Sequence, residues 1–357
     1  MKKNSKISRF IIIGIISTLT LTACQKKSGQ EEPPKEVASE DLSQEVVASI
    51  EEESSEEIDH YPLKMDNFGH NTVYEEAPKK VLCLDLNAAT SMVALGLEDR
   101  VFATRTSGID INKVNEKYRD KVSKIDIPEE FNEAPLPSLE VLLNLQPEMI
   151  VMDSFYFNVE DIFGKYEDYV ENGIKIYVTE GTQVDNPTIE NSYNDLYNLG
   201  KIFSVEDRAE ELVDQLRAEQ KEITEAIKNE PVKKVMVFDS GIEMPIVAGG
   251  SGLENSLLDL AKAENVFSDL DKGYAKVSYE EIINRNPELI IVHDTPEGES
   301  AEEIIQALKS NPELAGVKAI QDDAFITVPL SYVFSGLHNI DGLRIIAEGL
   351  HPSAFSK

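Results

Sequence analysis

Ser138-Leu-Glu-Val-Leu-Leu-Asn-Leu-Gln-Pro-Glu-Met-Ile-Val151 returns later in the chain as Ser278-Tyr-Glu-Glu-Ile-Ile-Asn-Arg-Asn-Pro-Glu-Leu-Ile-Ile291. Ser138/Ser278, Glu140/Glu280, Asn144/Asn284, Pro147/Pro287, Glu148/Glu288 and Ile150/Ile290 coincide at one constant offset. Each copy reads as a short helix, a Pro-led turn and a buried apolar strand. A unit that recurs half a domain apart implies two similar α/β lobes, and two facing lobes leave a cleft between them.

Working outward, apolar strand patterns at 81–86, 101–106, 149–153 and 174–179 alternate with helical patterns near 90–95, 139–145 and 159–171. A second set follows, with strands at 235–238, 245–247, 289–293 and 324–328 and helices near 254–263, 278–284, 301–309 and 338–350. Such alternation predicts βαβ units and mainly parallel sheets. Asn67–Lys80 reads as a turn and edge strand before the first buried strand. Between the sets, Val205, Ala209, Leu212, Val213, Leu216, Ile223 and Ile227 recur at helical spacing, behind a Ser204–Asp207 capping pattern and ahead of Pro231. About 24 residues of helix span roughly 36 Å. That is long for a crossover within one lobe and suits a rod joining two. The competing arrangement is a crossover helix within one continuous sheet.

The ends bound the setting. Lys2, Lys3, Lys6 and Arg9 precede an apolar run from Phe10 to Leu21, the layout of a secretory leader and too short for a membrane span. It closes on Leu21-Thr-Ala-Cys24, which resembles a bacterial lipobox, so Cys24 is the expected lipidation site. With the Cys24 thiol taken up by lipid, Cys83 is the only free cysteine of the mature chain; an intramolecular disulfide is impossible, and its apolar neighbours make it a buried small hydrophobe. Residues 24–60 are acidic and without aromatics until Tyr61, a composition expected to stay disordered as a tether. The formal net charge of −32 argues against nucleic acid or anionic lipid as the target. The expected divisions are 1–23 leader, 24–60 tether, 61–203 first lobe, 204–230 connecting helix and 231–357 second lobe.

Ala77–Val101 resembles the opening of the helical-backbone (class III, TroA-like) substrate-binding lipoproteins of ABC importers, which take up ferric siderophores, haem, cobalamin and related chelates. The resemblance extends over nearly the whole body, through Pro137-Ser-Leu-Glu140, Gln146-Pro-Glu148, Leu199–Phe203, Ala248-Gly-Gly250, Glu264-Asn-Val266, Val277–Glu280 and Leu350-His-Pro352. It implies two Rossmann-like lobes on one rigid helix, a monomer on the outer face of the cell membrane, and a permease dimer with its ATPase as partner. It implies no enzymatic activity and no intrinsic cofactor. In relatives a Glu on each lobe meets permease arginines, and those positions match Glu140 and Glu280. A carboxylate near a helix N-terminus is favoured by the dipole and accepts charge-assisted bonds from Arg; residue type by itself leaves simple capping equally open.

Ligands of open parallel sheets lie beyond the carboxyl ends of the strands. That rule selects the segments 87–90, 105–106, 153–156 and 180–182 on the first lobe, with Asn87, Thr90, Arg105 and Tyr156 as candidates, and 239–244, 249–252, 274, 293–294 and 331–332 on the second, with Tyr274, His293 and Tyr332. Arg105 would meet an anionic chelator or propionate, or cap carbonyls. The tyrosines would line the wall or offer a hydroxyl to a metal. His293 would bind metal directly or serve as a hydrogen-bonded structural residue; Met92 and Met244 would be haem ligands or packing. A receptor for a bare transition-metal ion is disfavoured, since His60, His70, His293, His338 and His351 are scattered and His60 falls in the tether. A surface enzyme finds support only in Gly250-Ser-Gly-Leu-Glu-Asn255, which lacks the third glycine of a dinucleotide loop. A surface adhesin offers no reason for paired lobes.

Overall fold

The computed structural model describes residues 60–106, 110–132, 136–295 and 298–356, which fall in one compact unit, Glu57–Lys357. The leader, Cys24 and the tether to residue 59 lie outside the described residues.

The body opens with a hairpin, β1 (Leu63–Asn67) and β2 (His70–Tyr74), turned by Phe68 and Gly69, both at positive φ. Where one edge strand was expected there are two, and the Asn67 side chain pins the hairpin by bonding both the N–H and the C=O of Val178 at 2.8 Å. The first parallel sheet contains β3 (Val81–Cys83), β4 (Val101–Thr104), β5 (Met149–Met152) and β6 (Lys175–Val178), in the order β4-β3-β5-β6. The second contains β7 (Lys233–Ser240), β8 (Ile246–Ala248), β9 (Ala263–Asn265), β10 (Tyr274–Lys276), β11 (Leu289–Asp294) and β12 (Phe325–Pro329). Its order is β10-β8-β7-β11-β12, with β9 also paired to β7. Two separate sheets replace the single continuous one that competed with them.

The repeated segments fold alike, for identifiable reasons. Ser138 and Ser278 are extended N-caps whose hydroxyls accept from the N–H groups of Val141 and Glu281. Helices Leu139–Leu145 and Tyr279–Arg285 follow. Both end on a left-handed residue, Gln146 at φ 50° and Asn286 at φ 46°, and the next residue is a proline that cannot continue the helix. Beyond it, β5 and β11 are buried on both faces, which accounts for their unbroken apolar runs. The first glutamate after each proline closes the unit. Glu148 accepts the Lys79 N–H at 2.6 Å and Glu288 the Lys234 N–H at 2.8 Å, tying each helix–strand turn to the strand beside it.

Helix Glu206–Ala226 lies between the sheets in chain order, with Ala209, Leu212, Val213, Leu216 and Ile223 buried as their spacing predicted. Its start differs. Ser204 does not cap it; Ser204 sits at φ 54° and closes the preceding helix Ile189–Ile202, leaving Val205 as an N-cap without a side-chain bond. That preceding helix was not anticipated from sequence. It packs on the connecting helix so closely that a Cβ on Gly200 would lie 2.7 Å from that of Ala209. His60, assigned to the tether on composition, docks at this junction, its ring against Lys201 O at 2.7 Å and Glu206 at 3.3 Å.

One face of each sheet, through Val81, Cys83, Met149 and Val151 and through Val235, Val237, Leu289 and Ile291, shares a central core with these helices. The opposite faces build separate cores under the outer helices. Cys83 is fully buried, and burial pushes its thiol pKa up, so it is an inert packing residue.

Candidate ligand cleft

At the carboxyl end of the first sheet the chain places two carboxylates side by side. Asp85 follows β3 and caps helix Leu86–Ala94, accepting the Ala88 N–H at 2.7 Å. Asp153 follows β5 and accepts the Thr179 hydroxyl at 2.6 Å. Burial raises both carboxyl pKa values, and the Asp153 charge raises that of Asp85 further, against the pull of the Ala88 and Asn87 amides and of Arg105. Arg105 donates to the Tyr156 hydroxyl at 3.3 Å, and Tyr156 donates to Leu84 O at 2.9 Å.

At the second sheet the same end carries a histidine between two acids. His293 is wholly buried at the end of β11. Its Nδ1 lies 2.9 Å from Asp239 Oδ1 and its Nε2 3.1 Å from Glu254 Oε1. Burial disfavours the imidazolium. The Glu254 charge and the bonds from both carboxylates outweigh it together and push the His293 pKa to about 9. The second oxygen of Glu254 is buried with no hydrogen-bond partner.

The two ends meet. Asn87 donates to Ser331 O at 2.9 Å, Tyr332 donates to Lys113 O at 2.6 Å, and the Lys113 ammonium pairs with Asp294 at 2.8 Å. Deeper in, Ser335 donates to Asp195 at 3.0 Å. Asp195 also accepts from the Tyr177 hydroxyl and the Glu180 N–H, each at 2.7 Å, and burial lifts its pKa to about 7. Beside these struts lies a pocket of about 210 Å³ to which both halves contribute, among them Thr182, Glu254, Tyr274 and Phe334. A wider hollow of about 830 Å³ is lined by residues between 66 and 201 and by Glu206 and Glu210 of helix Glu206–Ala226, with none from the second sheet or its helices.

The expected site residues divide accordingly. Tyr274 lines the pocket, its ring edge-on to His293 with centroids 6.1 Å apart. Asn87 and Tyr332 are struts between the halves. Tyr156 is core, stacked on Phe163. Thr90 is fully buried inside its helix, its hydroxyl donated to Leu86 O, because that helix starts at Leu86 and not near Thr90 as expected. Met92 is core, while Met244 is exposed. His293 does not present a nitrogen to a metal in this arrangement, since both nitrogens face carboxylates. Among the described residues no group of three or more His, Cys, Asp or Glu is arranged to hold a metal ion. The Gly250–Asn255 segment is not a phosphate cradle: a Cβ on Gly250 would lie 2.1 Å from Ser268 O, and Asn255 donates to Gly249 O at 2.7 Å. Sequence reasoning missed Asp85, Asp195 and Glu254. Asp85 was read as part of a strand, although an Asp immediately before Leu-Asn-Ala-Ala is an N-cap signal.

Glu140 and Glu280 are exposed in the first turns of the twin helices. A helix that leads into a parallel strand runs back over its sheet, so both N-termini stand on the carboxyl-end side of their sheets.

Residues 81–332 match the family described as periplasmic binding protein. The chain belongs to that family. Over 302 residues it is 22% identical to the ABC transporter substrate-binding lipoprotein YvrC of Bacillus subtilis (strain 168), covering 83% of this chain and 88% of the relative. A periplasmic binding protein of Veillonella parvula DSM 2008 superposes with TM-score 0.70 at 26% identity, covering 81% of this chain and 97% of that one. An ABC-type Fe3+-hydroxamate transport protein of Saccharomonospora viridis DSM 43017 gives TM-score 0.67 at 19% identity, covering 82% and 99%. The relatives named for ABC transport are substrate-binding proteins, a role that implies a small-molecule ligand and a permease and ATPase as partners. This chain's family comprises transport receptors rather than enzymes and works outside the cytoplasm. No helix among the described residues is long and apolar enough to cross a membrane.

Proposed function

We propose that this receptor is tethered to the outer face of the cell membrane through a lipid on Cys24, captures an iron–siderophore or related metal chelate between its halves, and delivers it to the permease through Glu140 and Glu280. The divisions expected from sequence, with lobes at 61–203 and 231–357 around a connector at 204–230, belong to this reading. The observation that carries it is the pocket built from both halves at the carboxyl ends of their strands, where Tyr274, Phe334 and aliphatic side chains stand beside polar groups such as Thr182, Glu254 and Asn255. The lipobox-like Leu21–Cys24 and the relationship to a lipoprotein support the anchor. The hydroxamate system named for the Saccharomonospora protein supports the chelate class.

Absorbance and fluorescence titration of the purified full chain with a ferric trihydroxamate, haem and cobalamin tests the reading. One chelate is expected to saturate at one per chain, and binding of none would end it. A Glu140→Ala/Glu280→Ala variant is expected to keep that affinity while uptake by cells falls at least about tenfold, the scale of losing charge-assisted bonds. Undiminished uptake would remove the docking role.

A further inference from the structure

The His293 cluster is more elaborate than a packing device requires. Glu254 is only 3% exposed, and one of its oxygens is already held by His293. The other is buried with no hydrogen-bond partner, although Glu254 is among the residues lining the pocket between the halves. A buried carboxylate oxygen without a donor costs about 1–3 kcal/mol or more, so such a group is retained where something supplies the donor. Asp239 on the far side of His293 makes the triad acidic in sum when the imidazole is charged.

The surroundings state what that donor should be. Among the described residues no His, Cys, Asp and Glu group is arranged for a metal ion. The pocket, at about 210 Å³, is smaller than the several hundred Å³ that enclose a whole drug-sized ligand, and suits one projecting group of a larger one. Of the basic side chains near these strand ends, Arg105 lies by the acids of the first sheet and donates to Tyr156, and Lys113 of the turn Ile111–Lys113 pairs with Asp294. The strand ends therefore offer negative charge to a ligand, and a buried acceptor on one side.

We propose that Glu254 is a specificity-determining subsite that receives a cationic nitrogen donor, an ammonium or guanidinium, projecting from the bound chelate, with His293 and Asp239 as positioning residues that hold the carboxylate in place. This assignment rests on the chelate reading above and narrows it to ligands with a basic arm. Tricatecholates and propionate-bearing macrocycles, which bring anions to the same place, are disfavoured.

The test uses two probes of nearly equal size: a ferric linear trihydroxamate with a free primary ammonium, and the same chelate with that amine acetylated. Titrations of the full chain are run in about 0.5 M salt, where long-range attraction to the acidic protein is screened and contact terms remain. The wild-type chain is expected to bind the ammonium form about 10- to 100-fold more tightly, the range of one charge-assisted hydrogen bond. Glu254→Gln is expected to weaken the ammonium form to the level of the acetylated form and leave the latter unchanged. Equal affinities in the wild type, or a preference that survives Glu254→Gln in a variant of normal melting temperature, would overturn the subsite while leaving the chelate reading intact. Binding of neither probe would overturn both for hydroxamates. Should Glu254→Gln fail to fold, the wild-type pair decides the matter by itself.

Discussion

Both sheets bring buried acids to their carboxyl ends, and the two clusters are handled differently. On the first, Asp85 and Asp153 are relieved by amides, by the Thr179 hydroxyl and at a distance by Arg105, and their pKa values rise. On the second, His293 stands between Asp239 and Glu254, and the Asp239 pKa falls: burial would raise it, but the hydrogen bond and charge of His293 outweigh that. Similar scaffolds can thus carry a carboxyl pair whose burial favours taking up a proton, or a histidine cation that holds a neighbouring carboxylate, Asp239, in its ionised form. In the second arrangement the imidazole also grips Glu254, whose other oxygen is left without a donor beside the pocket.

Removing the central group should break the comparison most sharply. His293→Leu leaves the buried Glu254 and the partly exposed Asp239 without their cation, and breaking a buried pair in this way costs about 3–5 kcal/mol. Asp153→Asn on the first sheet removes one of two neighbouring acids and retains an acceptor for Thr179. It is expected to be neutral or stabilising by about 1 kcal/mol above pH 7. Urea unfolding of both variants measures the contrast, and losses of equal size would show that the clusters do the same work.

Raising the pH sharpens the same contrast. The folded His293 pKa, about 9, lies above the ordinary value of 6.5. Folding therefore favours its proton, and the associated stability is complete below about pH 6.5 and lost as pH climbs through 9. The difference between 6.5 and about 9 corresponds to on the order of 3 kcal/mol. Asp195, raised to about 7, has the same sign in a lower window: its contribution is full below about pH 4 and gone above 7. Stability from chemical denaturation is expected to fall in two stages between pH 4 and 9.5, and His293→Gln should abolish only the upper one. An unchanged upper stage in that variant would refute the assignment.

Much of the architecture was legible because apolar periodicity and prolines act locally. The twin helix–turn–strand units and the buried face of Glu206–Ala226 needed nothing from the rest of the chain. What failed was tertiary. Ser204 looks like a cap in one dimension, but the turn out of Ile189–Ile202 claims it, and its backbone goes left-handed. Thr90 and Tyr156 sit at plausible strand-end positions, yet a helix that begins earlier buries one, and a bond to Leu84 O turns the other inward. Asp85 and Glu254 escaped notice because isolated acids carry no periodic signal; only the folded neighbours, Asp153 in one case and His293 in the other, make them a site.

The smallest expected effect concerns what the twin segments share. Glu148 and Glu288 each accept one backbone N–H from the neighbouring strand, at 2.6 and 2.8 Å, at exposed turns where water competes. Water competition brings such a bond down from the roughly 1.5–3 kcal/mol of a charged partner to about 1 kcal/mol net. Glu148→Ala and Glu288→Ala should therefore each lower stability by about that amount and leave ligand affinity unaltered, since both lie at the amino ends of their strands, away from the cleft. If the two costs agree within a few tenths of a kcal/mol, the repeat is conserved in energetics as well as shape within this chain. If Glu288→Ala costs much less, the difference has a visible source. Asn286 accepts the Lys318 N–H at 2.8 Å and Ala319 donates to Pro287 O at 3.0 Å, so the second turn is held by ties from helix Lys318–Gln321.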